Sequence, residues 1–425
     1  MALWPPLRQF CETQRCEGFG LTFEKSARTS ISMLADHARD LCRFSHVLQR
    51  SRHASVATPD AAIWRSTSGQ AGPTCKPFAF SIRHALYETR GLKGLNMRKR
   101  YLITGGAGFV GSHVVAALLD KGQDCVVLDD LSTGHRDALL PGARLVEGDL
   151  ADAALLERTV ADGPWDAVFH FASLSLVGDS MREPYSYLLK NVGNGIRLIE
   201  ACTRHGVPRF VFSSTAALFG APVHGLIDEE TSVDPGSPYG ESKWMQERAL
   251  HWAYQVHGMR SACLRYFNAA GSDRHGLIGE DHRPESHLIP LVIDAALGRR
   301  PALEIYGQDF ATPDGTAIRD YIHVSDLADA HIRILDHLEA GSVAYNLGTG
   351  RGHSVMDVIA SVEQVIGHKV PWLLGNRRVG DPPVLVASAA KMRAKTGWAP
   401  AICDLRAIVQ TALQWRESHP AGYSA

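Results

Sequence analysis

The sequence predicts an α/β fold, a doubly wound parallel Rossmann sheet with a smaller mixed α/β C-terminal lobe. Three observations predict it. Short apolar runs alternate with stretches of helical period from Tyr101 onward. The first run leads into Gly105-Gly106-Ala107-Gly108-Phe109-Val110-Gly111, which opens a helix, and the next run ends in Asp129-Asp130. Strands buried on both faces read as unbroken apolar runs, and their alternation with helices gives a parallel sheet with right-handed crossovers.

The first strand is Tyr101-Leu102-Ile103-Thr104, and the helix after the glycines places Val110, Val114, Val115, Leu118 and Leu119 on one face. The glycines of the turn serve separate purposes. Gly105 permits the tight turn, Gly108 lets backbone amides approach a pyrophosphate, and Gly111 lets helix and strand lie close. The phosphates then meet the positive end of the helix. Residues 125–128 form the second strand, and Asp129 stands where a carboxylate accepts hydrogen bonds from ribose hydroxyls, which favours NAD over NADP. A third strand end brings Asp149 toward the adenine amine, with helix capping as its other reading, and the strand at 167–171 delivers Ala172 and Ser173 to the phosphates. Helices are expected at 151–161, 184–205 and 239–257. The ligand is expected across the carboxyl ends of the strands.

The 425 residues carry 44 Lys plus Arg against 45 Asp plus Glu, a net charge of -1. This near-neutrality joins two unlike parts. Residues 1–96 hold 13 basic and 7 acidic side chains, and residues 97–425 hold 31 and 38. Hydrophobic residues at 45% and charged residues at 21% exclude collagen-like, coiled-coil and wholly disordered chains. Residues 1–96 show no sustained period and are expected to form no packed domain. Trp4-Pro5-Pro6-Leu7-Arg8 breaks any secretory signal, and Glu12, Glu17, Glu24, Asp36 and Asp40 spoil a transit-peptide pattern. The functional protein is expected to start at or near Met97, with a nucleotide-binding domain over 97–272 and a substrate lobe mainly over 273–425. Some segments of that lobe return to the first domain. No run of 18 apolar residues occurs, so no membrane span is expected, and the basic extension is no evidence for nucleic-acid binding. Cys125, Cys202, Cys263 and Cys403 are too scattered for a metal knuckle, so no metal centre is expected and the thiols suit a reducing cytosol.

The strand at 209–212 runs into Ser213-Ser214-Thr215, and Tyr239-Gly240-Glu241-Ser242-Lys243 starts a helix with Tyr239 and Lys243 on one face. A free phenol has a pKa of about 10, so Tyr239 needs a nearby cation to act as a base at neutral pH. Lys243 and an oxidised nicotinamide are expected to supply it, while Thr215 hydrogen-bonds the substrate oxygen.

These residues resemble the extended short-chain dehydrogenase/reductase superfamily, and within it the UDP-glucose 4-epimerases. The resemblance runs from Met97 to the C-terminus and rests also on His170-Phe171-Ala172, Val177-Gly178-Asp179-Ser180, Leu264-Arg265-Tyr266-Phe267-Asn268, Asp314-Gly315-Thr316-Ala317-Ile318-Arg319-Asp320-Tyr321-Ile322-His323-Val324, Asn346-Leu347-Gly348-Thr349-Gly350 and Arg378-Val379-Gly380-Asp381. It implies reversible UDP-glucose/UDP-galactose interconversion. Bound NAD would take a hydride from sugar C4, the 4-keto sugar would turn over, and the hydride would return to its other face. It implies that Phe109, Val110, Leu150, Phe171 and Lys243 join the glycines, Asp129, Asp149 and Ala172 around NAD. Asn191, Tyr266, Asn268, His287, Leu288, Arg319, Arg378 and Asp381 would hold the UDP-sugar, with the guanidiniums on the diphosphate and the carboxylate on ribose. It further implies a cytoplasmic enzyme of galactose metabolism and a homodimer joined through the helices at 184–205 and 239–257.

Several positions depart from the family pattern. Thr215 stands where many members have Ser, Phe219 replaces a Tyr, Ser175 a Lys, and His287 an Asn. Ala216 and Ala217 occupy positions that are acidic in the related dehydratases, which disfavours elimination. By resemblance Leu385 lies near the size gate that separates hexose, N-acetylhexosamine and pentose substrates. A noncatalytic NAD sensor on the same fold would lack Tyr239 or Lys243, and both are present.

Overall fold

The structure, a computed structural model, describes residues 98–220, 226–338, 341–378 and 381–424. The N-terminal extension and the expected start at Met97 lie outside the described residues.

Six strands come first along the chain: β1 (Arg100–Thr104), β2 (Asp124–Asp129), β3 (Ala143–Glu147), β4 (Ala167–His170), β5 (Arg209–Thr215) and β6 (Arg260–Tyr266). Between them run α1 (Phe109–Asp120), α2 (Ala153–Ala161), α3 (Asn194–Arg204) and α4 (Pro238–His257). Two short helices, Val177–Arg182 and Pro184–Tyr187, and a π-helical turn, Leu188–Gly193, lead into α3.

The second half begins with β7 (Asn268–Ala270), α5 (Leu288–Ala296), β8 (Leu303–Tyr306), β9 (Ile318–His323) and α6 (Val324–Arg333). It then returns to the first sheet as β10 (Ser342–Leu347). After it come β11 (Gly352–Ser354), α7 (Val355–Ile366), β12 (Trp372–Gly375), β13 (Val384–Leu385), a short helix at Ala390–Thr396, and α8 (Leu405–Ser418).

The main sheet has the order β10-β6-β5-β4-β1-β2-β3, with every neighbour parallel. The order reverses beside β1, and the crevice between the carboxyl ends of β1 and β4 is the topological switch point where such sheets bind ligands. Alternate side chains feed two cores. Tyr101, Ile103, Val127 and Phe169 pack with Val114, Leu118 of α1 and Leu327 of α6 on one face. Leu102, Val126, Val168, Phe210 and Phe212 pack with Leu156 of α2, Leu198 of α3 and Leu250 of α4 on the other.

The smaller lobe is built around β9, which pairs parallel with β7 and β13 and antiparallel with β11. A separate parallel pair joins β8 and β12. A third apolar core binds α5, α7 and α8 together through Ile289, Val292, Val358, Val362, Ile408 and Val409.

Candidate active site

At the carboxyl end of β1 the chain turns through Gly105 with φ +71, a conformation that L side chains rarely adopt. A Cβ there would stand 2.3 Å from the Ala172 backbone nitrogen, and one at Gly111 would stand 2.2 Å from the Gly105 carbonyl oxygen. Gly108 is the N-cap of α1 and supplies no side-chain cap, so the helix start keeps its amides for an external acceptor.

Phe171 and Ala172 leave β4 by donating their amides to the Thr104 carbonyl, at 2.8 and 3.1 Å, which locks the two strand ends together. Asp129 is 7% exposed; its two carboxylate oxygens accept from the amides of Ala107 and Leu131, both at 2.9 Å. Burial pushes its pKa up, against those two amide bonds. Each carboxylate oxygen keeps a second lone pair, so Asp129 is both fixed and able to accept from a ribose. This cradle, closed to side chains at two glycines and backed by a fixed carboxylate, fits a dinucleotide. Leu150 is buried and Val110 packs on the core beside α1. Phe109 sets its ring edge-on to His113 at 5.4 Å. Asp149 is exposed and its Oδ1 accepts from the Ala151 amide at 2.8 Å, so here it shapes the turn into α2.

The helix α4 starts from an N-cap at Ser237, whose hydroxyl accepts from the Gly240 amide at 3.2 Å, and Pro238 occupies its first position. A Cβ on Gly240 would stand 2.2 Å from the Ala217 carbonyl, so glycine brings the helix against the end of β5. Tyr239, Lys243 and Thr215 are all buried there, at 9%, 2% and 8% exposed. The Lys243 ammonium donates to the Ser213 carbonyl at 2.9 Å and lies 5.8 Å from the Tyr239 ring centroid.

Burial dominates the electrostatics of the pair. Burial pushes the Tyr239 phenol up to about 12, against a hydrogen bond from Thr215, and Lys243 contributes no lowering. Burial also brings Lys243 down to about 7. Two groups desolvated together each favour the neutral form, so burial alone works against a phenolate at Tyr239. The residue sequence reading missed is Ser213: its carbonyl holds Lys243, and its hydroxyl bonds Tyr266 at 2.5 Å. Its place two residues before Thr215 on an extended strand, hence on the same face, was the available signal.

The candidate substrate residues separate into groups. Asn268 opens β7, Arg319 lies on β9, and Leu385 pairs with Arg319 across β13, so one small sheet carries all three. Arg319 donates to Asp381, joining two of the expected ligands in an ion pair. Arg378 is exposed and lays its guanidinium 4.0 Å over the Tyr306 ring. His287 is the N-cap of α5 and Leu288 its first residue.

Asn191 departs from the expectation. It is 1% exposed, its Oδ1 accepts from the Leu174 amide at 2.8 Å, and its Nδ2 donates to the Leu174 carbonyl and the Ser242 hydroxyl, each at 3.0 Å. It ties the loop after β4 to α4 and presents no donor to a substrate. Phe219 is 2% exposed among Leu218, Ile227, Trp244 and Leu385, so its ring is part of an apolar cluster.

Residues 101–348 match the NAD dependent epimerase/dehydratase family. A UDP-glucose 4-epimerase of Lacticaseibacillus casei is 45% identical over 323 residues, 76% of this chain and 98% of that protein. One from Azospirillum brasilense is 49% identical over 321 residues, 75% of this chain and 92% of that protein. The crystal structure of UDP-glucose 4-epimerase from Bifidobacterium longum in complex with NAD+ and UDP superimposes with a TM-score of 0.73 at 36% identity, covering 76% of this chain and all of that one (100%). A glycine cradle at the switch point, a buried tyrosine–lysine pair beside it and this extent of identity lead to one conclusion: the chain belongs to the NAD dependent epimerase/dehydratase family.

Proposed function

We propose that this protein interconverts UDP-glucose and UDP-galactose as an NAD-dependent isomerase. The observation that carries the reading is the burial of Tyr239, Lys243 and Thr215 together at the end of β5, next to the glycine cradle of β1. Gly105, Gly108, Gly111 and Asp129 would hold NAD, with Phe109, Val110, Asp149, Leu150, Phe171 and Ala172 lining its edges. Bound NAD accepts the C4 hydride and later returns it to the opposite face, so no net oxidation occurs.

Tyr239 takes the proton of the sugar 4-hydroxyl and later gives one back. Burial pushes its phenol up to about 12, so deprotonation is favoured by the positive charge that an oxidised nicotinamide would bring beside it. The Thr215 hydroxyl, which lowers the phenol's pKa, orients the reacting oxygen. Arg319, Arg378, Asp381, Asn268, Tyr266, His287 and Leu288 anchor the UDP group, which leaves the sugar free to turn between the two half-reactions. Leu385 beside Arg319 limits the volume available to that turn.

A homodimer and a cytoplasmic location complete the proposal. Tyr185, Leu189, Ile196, Met245, Trp252 and Val256 expose apolar surface on the segments 184–204 and 238–257, as an isologous four-helix contact requires. No described helix is long and apolar enough to cross a membrane, and the buried free thiols Cys125, Cys202 and Cys263 suit a reducing compartment.

One assay tests the activity: purified protein with UDP-galactose and no added NAD. Formation of UDP-glucose is expected. Absence of conversion in protein shown to contain NAD would overturn the reading, and parallel reactions with UDP-N-acetylgalactosamine and UDP-arabinose measure the sugar range.

A further inference from the structure

The loop between β7 and α5 gathers four side chains that the reaction does not use as acid, base or hydride partner. Glu280, His282, Glu285 and His287 each offer one ligand atom, and those atoms lie within 4.8 Å of one another. The Glu280 Oε1 is 3.3 Å from His282 Nδ1, and His282 Nδ1 is 3.4 Å from Glu285 Oε1. His287 Nδ1 also meets Glu280 Oε1. Four N and O ligands at about 2.0–2.1 Å from a tetrahedral Zn2+ stand about 3.3–3.4 Å apart, the separation found along two edges of this cluster.

We propose that Glu280, His282, Glu285 and His287 bind one Zn2+ ion as a closed structural site. This goes against the sequence expectation of no metal centre, which looked only at cysteines.

Two further observations support it. Glu285 is 9% exposed at its side chain and its Oε2 has no hydrogen-bond partner; the nearest cation, Arg416, is 3.9 Å away. Its Oε1 accepts from the backbone amides of Ser286 and His287, at 2.8 and 2.9 Å, the kind of outer support that orients a ligating carboxylate.

The location gives the ion a purpose. His287 caps α5 immediately before Leu288, and the His282 ring stands edge-on to Phe109 of the glycine turn at 6.4 Å. A metal at Nδ1 of His287 places its proton on Nε2, which leaves a fixed donor on the exposed side of the ring. Zn2+ thus ties the cofactor turn to the segment that the proposed function assigns to UDP binding. Only this last consequence rests on that reading; the site itself does not.

The test uses the untagged full chain with its NAD, treated with chelator, re-equilibrated with ZnCl2 and freed of excess metal. About one Zn2+ per chain is expected by mass spectrometry of the metal, with a loss of at least about tenfold in Glu280→Gln and His282→Gln. Retained NAD identifies variants that are folded. Co2+ in place of Zn2+ is expected to give visible d–d absorption without a thiolate charge-transfer band, which separates this site from Cys11, Cys16, Cys42 and Cys75. Substoichiometric Zn2+ in the unmodified protein, a thiolate band, or full Zn2+ in an NAD-retaining variant would overturn the proposal. If a variant fails to fold, the stoichiometry and the Co2+ spectrum of the unmodified protein still decide.

Discussion

At the scale of single residues, the buried pair of α4 yields two predictions. Tyr239→Phe removes the proton acceptor while keeping the ring, and turnover is expected to fall by roughly 10²–10⁴-fold with NAD content unchanged, checked by single-substrate kinetics beside cofactor extraction. Full activity in that variant would remove Tyr239 from its role. Lys243 adds a dependence of stability on pH. Its folded-state pKa of about 7 lies below the ordinary 10.5, so below pH 7 the folded chain carries the whole cost of burying the charge. Between those values the unfolded chain binds a proton that the folded one lacks, and stability from this group rises with pH. In NAD-stripped protein, the unfolding free energy of the parent minus that of Lys243→Met is expected to rise by about 1.4 kcal/mol per pH unit above pH 7. Urea titrations across this range measure it, and a flat difference would show that the ammonium is not desolvated. The types and spacing of Tyr239 and Lys243 were legible in sequence because an i, i+4 pair shares a helix face. Their mutual desolvation was not, because burial comes from β5 and the residues around it.

At the scale of elements, α4 is held by a contact that no local pattern announces. Glu247, one turn beyond Lys243, accepts from Arg265 Nε at 2.9 Å and Nη2 at 2.6 Å, and from the Ser214 hydroxyl at 2.6 Å. Both charged side chains are 5% exposed. One residue of α4 is thereby fixed to β5 beside Thr215 and to β6 beside Tyr266. Glu247→Ala leaves a buried guanidinium unpaired and is expected to cost about 3–5 kcal/mol in urea unfolding, with Glu247→Leu plus Arg265→Met less harmful than the single change. Equal midpoints for the parent and Glu247→Ala would refute the contact. The strands, the glycine turn and the helix starts could be read in sequence, since each is set by neighbours a few residues away. The Glu247–Arg265 pair, the Asn191 clasp on Leu174 and the gathering of Glu280, His282, Glu285 and His287 could not, because each depends on which side chains the fold brings together. The cluster is the instructive case: Glu280, His282, Glu285 and His287 lie within eight positions of one another, yet only the loop's path brings their ligand atoms within 4.8 Å of one another.

At the scale of the whole molecule, the family match begins at Tyr101, within β1 of the main sheet. The Lacticaseibacillus casei relative is covered over 98% of its length by 76% of this chain, and the first described strand starts at Arg100. We therefore expect a chain that starts at Met97 to keep NAD and turnover, and complete loss of turnover in a folded, NAD-retaining truncation would assign residues 1–96 a part in the site.

The proposed dimer is the prediction with the widest reach. Leu189 and Ile196 are exposed on the first segment, and on α4 Met245 and Trp252, seven residues apart, return to one face after two helical turns. Leu189 is 72% exposed, Trp252 58% and Val256 67%, an arrangement that a lone molecule would leave in water. A two-fold axis lays this face against its own copy and buries both, and because α4 carries Tyr239 on its inner side, the contact braces the catalytic helix from outside. Leu189→Asp combined with Trp252→Asp places charge on that face without touching the inner side of either segment. Sedimentation is expected to show half the parent's mass, with NAD retained. A parent protein that sediments as a stable monomer would sink the dimer. A charged variant that still pairs would move the interface to another surface.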